Sequence, residues 1–195
     1  MKYIVFILGW YFVITSLNAS NVTDDESACE RGDTERCYSL GFMYELGEGV
    51  DVNFTKASKF YTKACAGSAE GCMELGDMYE FGYGVGKNIF KAVELYRKSC
   101  DGGIAGGCLS LGIMYSDGKG VRQDYVKATK FYIKACDGGL PYGCYYLGIN
   151  YTKGYGVKKD FTQAKELFGK ACDKKLPKGC DEYAKLNKQQ NIKKY

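Results

Sequence analysis

The chain of 195 residues contains no histidine at all. That absence excludes every mechanism in which a histidine activates serine or cysteine, and it removes the commonest zinc ligand. Proline is nearly missing too: Pro141 and Pro177 are the only two, both in short loops between the helices predicted below. No apolar run reaches membrane-spanning length, because the longest, Tyr3 to Ile14, falls short of the roughly 20 residues a span requires. Net charge is small as well, with 27 basic against 23 acidic residues. The formal net charge of +4 drops to +3 without Lys2, so nucleic acid is not an expected partner.

What is present begins with the first residues. Lys2, the apolar run to Ile14, and then Thr15 to Ala19 read as a secretory signal peptide cleaved after Ala19. An uncleaved anchor is the rival reading, and the shortness of the apolar run weighs against it. The chain from Ser20 onward keeps every cysteine and has no expected membrane span.

The ten cysteines fall into five pairs that recur every 35 or 36 residues: Cys29 and Cys37, Cys65 and Cys72, Cys100 and Cys108, Cys136 and Cys144, Cys172 and Cys180. A period of that length is the mark of a solenoid, whose units bury a core only against their neighbours. An even count in a secreted chain points to disulfides. If the units are equivalent, each bridge is the local one within its pair. Zinc does not compete, since cysteines eight apart are not a knuckle spacing and no histidine is available. Each bridge closes a loop of about eight residues, for which chain entropy gives about 2.5 kcal/mol.

Two helices are predicted in each unit. The first follows the second cysteine of a pair. In it Leu40, Leu75, Leu111 and Leu147 precede Tyr44, Tyr79, Tyr115 and Tyr151 by four residues, forming one apolar stripe. Gly41, Gly76, Gly112 and Gly148 sit inside these helices at a propensity cost of up to about 1 kcal/mol each. Close approach of a second helix explains them, and Ala57, Ala92, Ala128 and Ala164 are the expected partners. A G-x-G-V turn ends the first helix. The second starts behind the N-cap residues Asn53, Asn88, Asp124 and Asp160 and closes at Cys65, Cys100, Cys136 and Cys172. Asp24 to Cys29 is expected to give at most a stub of a preceding helix. From Cys180 the chain loses the repeat pattern and turns polar, as a capping helix does. The organisation predicted is a signal segment at 1–19, an N-terminal segment at 20–36, four helix pairs at 37–179, and a capping helix with tail at 180–195.

The L-G-x-x-Y-x-x-G-x-G-V segment, followed by Lys-Ala at 56–57, 91–92 and 127–128 and by Gln163-Ala164, resembles the Sel-one-like repeat, a relative of the tetratricopeptide repeat. With a cysteine pair in every unit the chain is similar to the Helicobacter cysteine-rich protein family. The resemblance runs from about Cys29 to Cys180, and the shortened Cys65–Cys72 spacing is its one departure. It implies an all-α, right-handed αα solenoid of disulfide-bridged repeats. It also implies penicillin-binding proteins with weak beta-lactamase activity, hence a penicillin-type ligand, and a first-helix face that lines a concave groove.

The residues themselves give that activity little support. Serine beta-lactamases combine S-x-x-K with S-D-N and K-T-G. One S-x-x-K is present, Ser116 to Lys119, in the glycine turn, and beyond the signal segment neither companion occurs. The catalytic residues therefore remain unassigned, and no cofactor or metal is expected. A non-enzymatic scaffold is the competing class, with a peptide or cell-wall fragment as partner. Placed by motif position, its groove residues are Tyr38 and Phe42 in the first unit, and Met73, Glu74 and Asp77 in the second. Leu109 and Ile113 follow in the third, and Tyr142, Tyr145, Tyr146 and Ile149 in the fourth. With Glu35, Glu45, Glu70 and Glu80 the first two units are acidic there, while the last two are apolar and aromatic. Such a groove suits an extended peptide with basic and apolar segments, anchored on tyrosine. The competing reading is that some of these residues pack against the next helix.

Lysines concentrate on the second helices, at Lys56, Lys59, Lys63, Lys91, Lys98, Lys127, Lys130 and Lys134, and read as a solvated outer surface. Asn53 opens an N-x-T acceptor preceded by Asp51, and it is also an N-cap; Asn21 and Asn150 open two further N-x-T triplets.

Overall fold

In the computed structural model, residues 22–192 are described, with side chains through residue 189; the signal segment predicted at 1–19 lies outside them. Among the described residues there are ten helices and no strand. They are α1 (22–30), α2 (Thr34–Leu46), α3 (Phe54–Ala64), α4 (Ala69–Phe81), α5 (Ile89–Asp101), α6 (Ala105–Asp117), α7 (Tyr125–Asp137), α8 (Pro141–Lys153), α9 (Phe161–Asp173) and α10 (Pro177–Ile192). None of them is long and apolar enough to cross a membrane. The chain forms two compact units, Met1–Lys87 and Asn88–Tyr195.

Local chemistry sets where the helices begin. Asn53, Asn88, Asp124 and Asp160 each accept a hydrogen bond from the backbone N–H three residues on, which satisfies a donor left open at the start of α3, α5, α7 and α9. The even-numbered helices begin earlier than expected. Thr34, Ala69, Ala105 and Pro141 each stand three residues before the second cysteine of a pair, so that cysteine lies in the first turn. Pro141 and Pro177 accordingly open α8 and α10 and do not sit in a loop. A proline is favoured there because its missing N–H would have had no helical partner. The segment before Cys29 is likewise no stub: it is helical over 22–30.

The two glycines of each G-x-G turn have different work. Gly47, Gly82, Gly118 and Gly154 close α2, α4, α6 and α8 in the left-handed region, at φ 77°, 84°, 72° and 77°. The second glycine is left-handed as well, and in three of the four turns, at Gly84, Gly120 and Gly156, it also serves close approach. A Cβ at Gly84 would collide with the Phe54 carbonyl oxygen at the start of α3, and one at Gly156 with the Tyr125 carbonyl oxygen at the start of α7.

In the first unit α2 packs on α3 and α3 on α4. The Tyr61 ring fills the notch at Gly41, where a Cβ would lie 2.6 Å from the ring carbons. Tyr61 is fully buried. The second unit repeats this contact, with Tyr132 against Gly112 and Phe168 against Gly148, at 2.5 and 2.7 Å from a hypothetical Cβ. Gly41, Gly112 and Gly148 therefore receive aromatic rings and not the alanines expected from the sequence. Ala57, Ala92, Ala128 and Ala164 are themselves fully buried. A second close contact follows at four of the five bridges. Gly71 lies on Ala64, Gly107 on Ser99, Gly143 on Ala135 and Gly179 on Ala171.

The five cysteine pairs are bridged locally, with Cα–Cα distances of 4.8, 4.4, 4.5, 4.5 and 4.5 Å in chain order. At the C-terminal end α10 docks through Leu186, which joins Ala164 and Phe168 in one buried cluster, and Lys165 donates to Asn187 at 2.7 Å.

Two stability predictions follow from these contacts. Gly112→Ala should destabilise by about 1–3 kcal/mol through overpacking against Tyr132. Gly169→Ala, whose Cβ would meet Tyr183 at an ordinary 3.6 Å, should gain up to about 1 kcal/mol of helix propensity. Urea denaturation of both variants reads the difference in sign. The Ser99 hydroxyl is fully buried and finds no partner, at a position where the other bridges have Ala64, Ala135 and Ala171. Ser99→Ala should stabilise by about 1 kcal/mol, seen as a higher urea midpoint at unchanged slope.

Candidate functional site

Within the first unit, α2 and α4 present a crowded acidic face. Tyr61 rises beneath it from α3 and donates its hydroxyl to Glu45 Oε2 at 2.7 Å. Ser68 Oγ donates to Glu70 Oε2 at 2.9 Å. Glu74 is held up at about 7 from an ordinary 4.5, chiefly by burial, then by the neighbouring Asp77 and Glu45 carboxylates. Burial raises Tyr38 as well, reinforced by Glu74, Glu70 and Glu45. Tyr61 is pushed far above the usual phenol range, by burial and by its bond to Glu45. The groups acting on Glu74 are all acidic, so the face favours a proton or an incoming cation.

Of the residues placed here by sequence, Phe42 is exposed and Tyr38, Met73, Glu74 and Asp77 are half-buried. Tyr38 also packs on the core cluster of Cys29, Cys37, Leu40 and Ala64. It is shared between surface and core.

The second unit presents aromatic rings. Tyr146 stacks on Tyr132 at 5.4 Å, with Tyr145 edge-on to it at 5.5 Å and Tyr142 tilted at 6.5 Å. Tyr145 also tilts against Phe168 at 5.8 Å. Tyr142 is 40% exposed, whereas Tyr145, Tyr146, Leu109, Ile113 and Ile149 are half-buried. Tyr145 and Ile149 pack on the cluster of Ala164, Phe168 and Leu186, so part of this face belongs to the cap contact. Tyr132 and Phe168, which underlie the face, were not among the sequence candidates. Their signal was the repeated large residue of the second helix, legible as core but not as the floor of a surface.

Ser116 does not form a nucleophile–base pair. It is hydrogen-bonded with Tyr132, whose hydroxyl is pushed up to about 12 by burial while the Ser116 bond pulls the other way. The Lys119 ammonium pairs instead with Asp117 Oδ2 at 3.2 Å. The arrangement that the S-x-x-K spacing called for is absent, because the motif straddles the end of α6 at Gly118. Among the described residues no group of three or more acids or cysteines converges as a metal site.

The lysines of the second helices do more than solvate. Lys56 lies over the Tyr44 ring at 4.5 Å, Lys127 over Tyr115 at 5.2 Å and Lys134 over Phe131 at 5.9 Å. Of the N-x-T asparagines, Asn53 is exposed at the α3 cap, whereas Asn150 is buried and donates through Nδ2 to Thr129 Oγ1 at 2.9 Å. Asn21, like Lys193 and Lys194 of the tail, lies outside the described residues.

Helix pairs closed by G-x-G turns, ring-in-glycine contacts and a disulfide at each junction define a cysteine-rich αα-repeat protein. The Sel1 repeat model matches residues 37–68, 69–104, 105–140 and 141–176. The chain belongs to the Sel1 repeat family, in its cysteine-rich form similar to the Helicobacter proteins. Helicobacter pylori cysteine rich protein B is 32% identical, with a TM-score of 0.53 over 67% of this chain and 95% of that one. A protective antigen present in uropathogenic Escherichia coli strains, displaying an SLR fold, is also 32% identical, with a TM-score of 0.80 over 83% of this chain. A Sel1 repeat protein from Oxalobacter formigenes is 29% identical, with a TM-score of 0.75 over 79% of this chain. The chain spans only 35% of the Escherichia coli protein and 63% of the Oxalobacter protein. No curated protein matches the chain.

The acidic face generates a pH prediction. A carboxyl held at about 7 in the folded chain and 4.5 outside it stabilises the fold fully below about 4.5, and that contribution is lost as pH rises through 7. Glu74→Gln should therefore match the parent in urea at pH 4 and exceed its stability at pH 8. Parallel curves at both pH values would show that Glu74 ionises without strain.

Proposed function

We propose that the chain is a secreted interaction scaffold whose first helices bind peptide or cell-wall fragments. The observation that carries this reading is the tyrosine face of α8. Tyr142 stands open beside Tyr145 and Tyr146, which rest on the buried rings of Tyr132 and Phe168. Tyrosine offers a large amphipathic contact with few rotatable bonds, and a packed underlayer lowers the entropy lost on binding. The acidic face of α2 and α4 suits lysine- or arginine-bearing segments in the same way, since its carboxylates are crowded by one another. Sel1 repeats generally mediate protein–protein contact, which favours a polypeptide partner. Five disulfides belong to an oxidising compartment outside the cytoplasm, which supports secretion. Lactam hydrolysis has no such support, because Ser116 and Lys119 are engaged by Tyr132 and Asp117.

Dodecapeptides selected from a random display library on the oxidised chain test the reading. Tyr142→Ala should weaken those rich in apolar residues by about tenfold or more. Glu74→Lys and Asp77→Lys should weaken those with basic segments. Affinities indifferent to all three changes would remove both faces as binding surfaces. In the companion assay benzylpenicillin should not turn over above a blank preparation. Turnover that disappears in Ser116→Ala would replace the scaffold with a hydrolase.

A further inference from the structure

On the side of the first unit formed by α1 and α3 a groove of about 410 Å³ opens between the two helices. Its walls are Glu26 and Glu30 from α1, and Lys56, Lys59, Phe60 and Lys63 from α3. The volume is within the range of small-molecule pockets. Phe60 supplies an aromatic floor, stacked on Tyr44 at 5.5 Å, and the aliphatic stems of the lysines extend it.

Both acids of the groove are already committed. Glu30 pairs with Lys63, and Glu26 accepts the Tyr44 hydroxyl at 3.1 Å, which in turn accepts from Lys56 Nζ at 3.1 Å. Lys59 is exposed and has no hydrogen-bond or ion-pair partner among the described residues. The groove therefore combines an apolar floor with one cation left over at its rim.

The second unit carries a different side chain at the corresponding position. Arg97 stands three residues before Cys100, as Glu26 stands three before Cys29. Its guanidinium donates to Tyr115 Oη at 2.8 Å and lies over that ring at 6.0 Å, while Lys134 reaches Asp101 at 3.9 Å. Where α5 offers a guanidinium that lies over the tyrosine ring, α1 offers a glutamate that accepts from the tyrosine hydroxyl.

We infer that the groove between α1 and α3 binds an amphipathic anion, its apolar body on Phe60 and the lysine stems and its carboxylate or sulfonate on Lys59. The site is separate from the first-helix faces and stands whether or not they bind peptide. Laurate below its micelle concentration and the fluorescent sulfonate 1-anilinonaphthalene-8-sulfonate serve as probes on the oxidised full chain.

Saturable one-to-one binding of both is expected, with mutual competition and no competition from acetate. Lys59→Glu should weaken both about tenfold, the worth of one charge-assisted contact. Lys130→Glu, the same repeat position on α7, should change nothing. Glu26→Arg is the decisive variant. It adds positive charge but installs the side chain that lies over the tyrosine ring in the second unit, so binding should fall at least tenfold, whereas mere attraction of anions to a basic surface would strengthen it. Absence of saturable binding, equal loss in Lys130→Glu, tighter binding in Glu26→Arg, or displacement by acetate would each overturn the proposal. Unchanged helical circular dichroism in every variant confirms that the fold is intact.

Discussion

Everything in the two units hangs on an aromatic ring seated in a glycine notch. Tyr61, Tyr132 and Phe168 press onto Gly41, Gly112 and Gly148 at distances no Cβ would permit. The contact brings paired helices close, and buries each ring almost completely. A glycine in mid-helix costs up to about 1 kcal/mol of propensity, less than burial of an aromatic side chain returns. The same ring then determines what lies above it. Tyr61 holds Glu45 by a hydrogen bond, and Tyr132 carries Tyr146 on its face. Core and surface are thus joined through one residue type at one repeat position.

The disulfides act at the opposite end of each helix pair. Each bridges the end of an odd-numbered helix to the first turn of the next, and at the four bridges after the first a glycine already lies there against a small residue of its neighbour. Covalent closure and tight packing coincide there, so the loop between helices has little freedom left to lose. Ser99 is the exception, a hydroxyl at a place where its repeat counterparts are alanine.

The two faces differ because the repeat leaves certain positions unconstrained. Glu45 and Tyr146 rest on rings of the helix contact, but the residue type at their repeat positions, and at those of Glu74 and Tyr142, varies from unit to unit. Their chemistry is therefore free to answer to a ligand, subject to the burial that raises Glu74 and the core contacts that claim Tyr145 and Ile149. The groove beside α1 lies within the first unit. There the first unit has a glutamate that accepts from the tyrosine hydroxyl, where the second has an arginine that donates to it.

By itself the sequence determined the period, the helix pairs, the N-caps and the bridged neighbourhood of every cysteine. These are consequences of spacing and of local hydrogen bonding, which a chain carries in one dimension. It did not determine the partner of the mid-helix glycines. Alanine and large aromatic residues both recur at suitable intervals, and only the packing of the paired helices selects the ring. Nor did it show that Tyr132 and Phe168 floor the tyrosine face, that Ser116 is engaged by Tyr132, or that a groove opens beside Phe60. Each of these depends on which side chains from separate helices reach the same point. That is decided by packing in three dimensions, where a single long or short side chain changes the outcome.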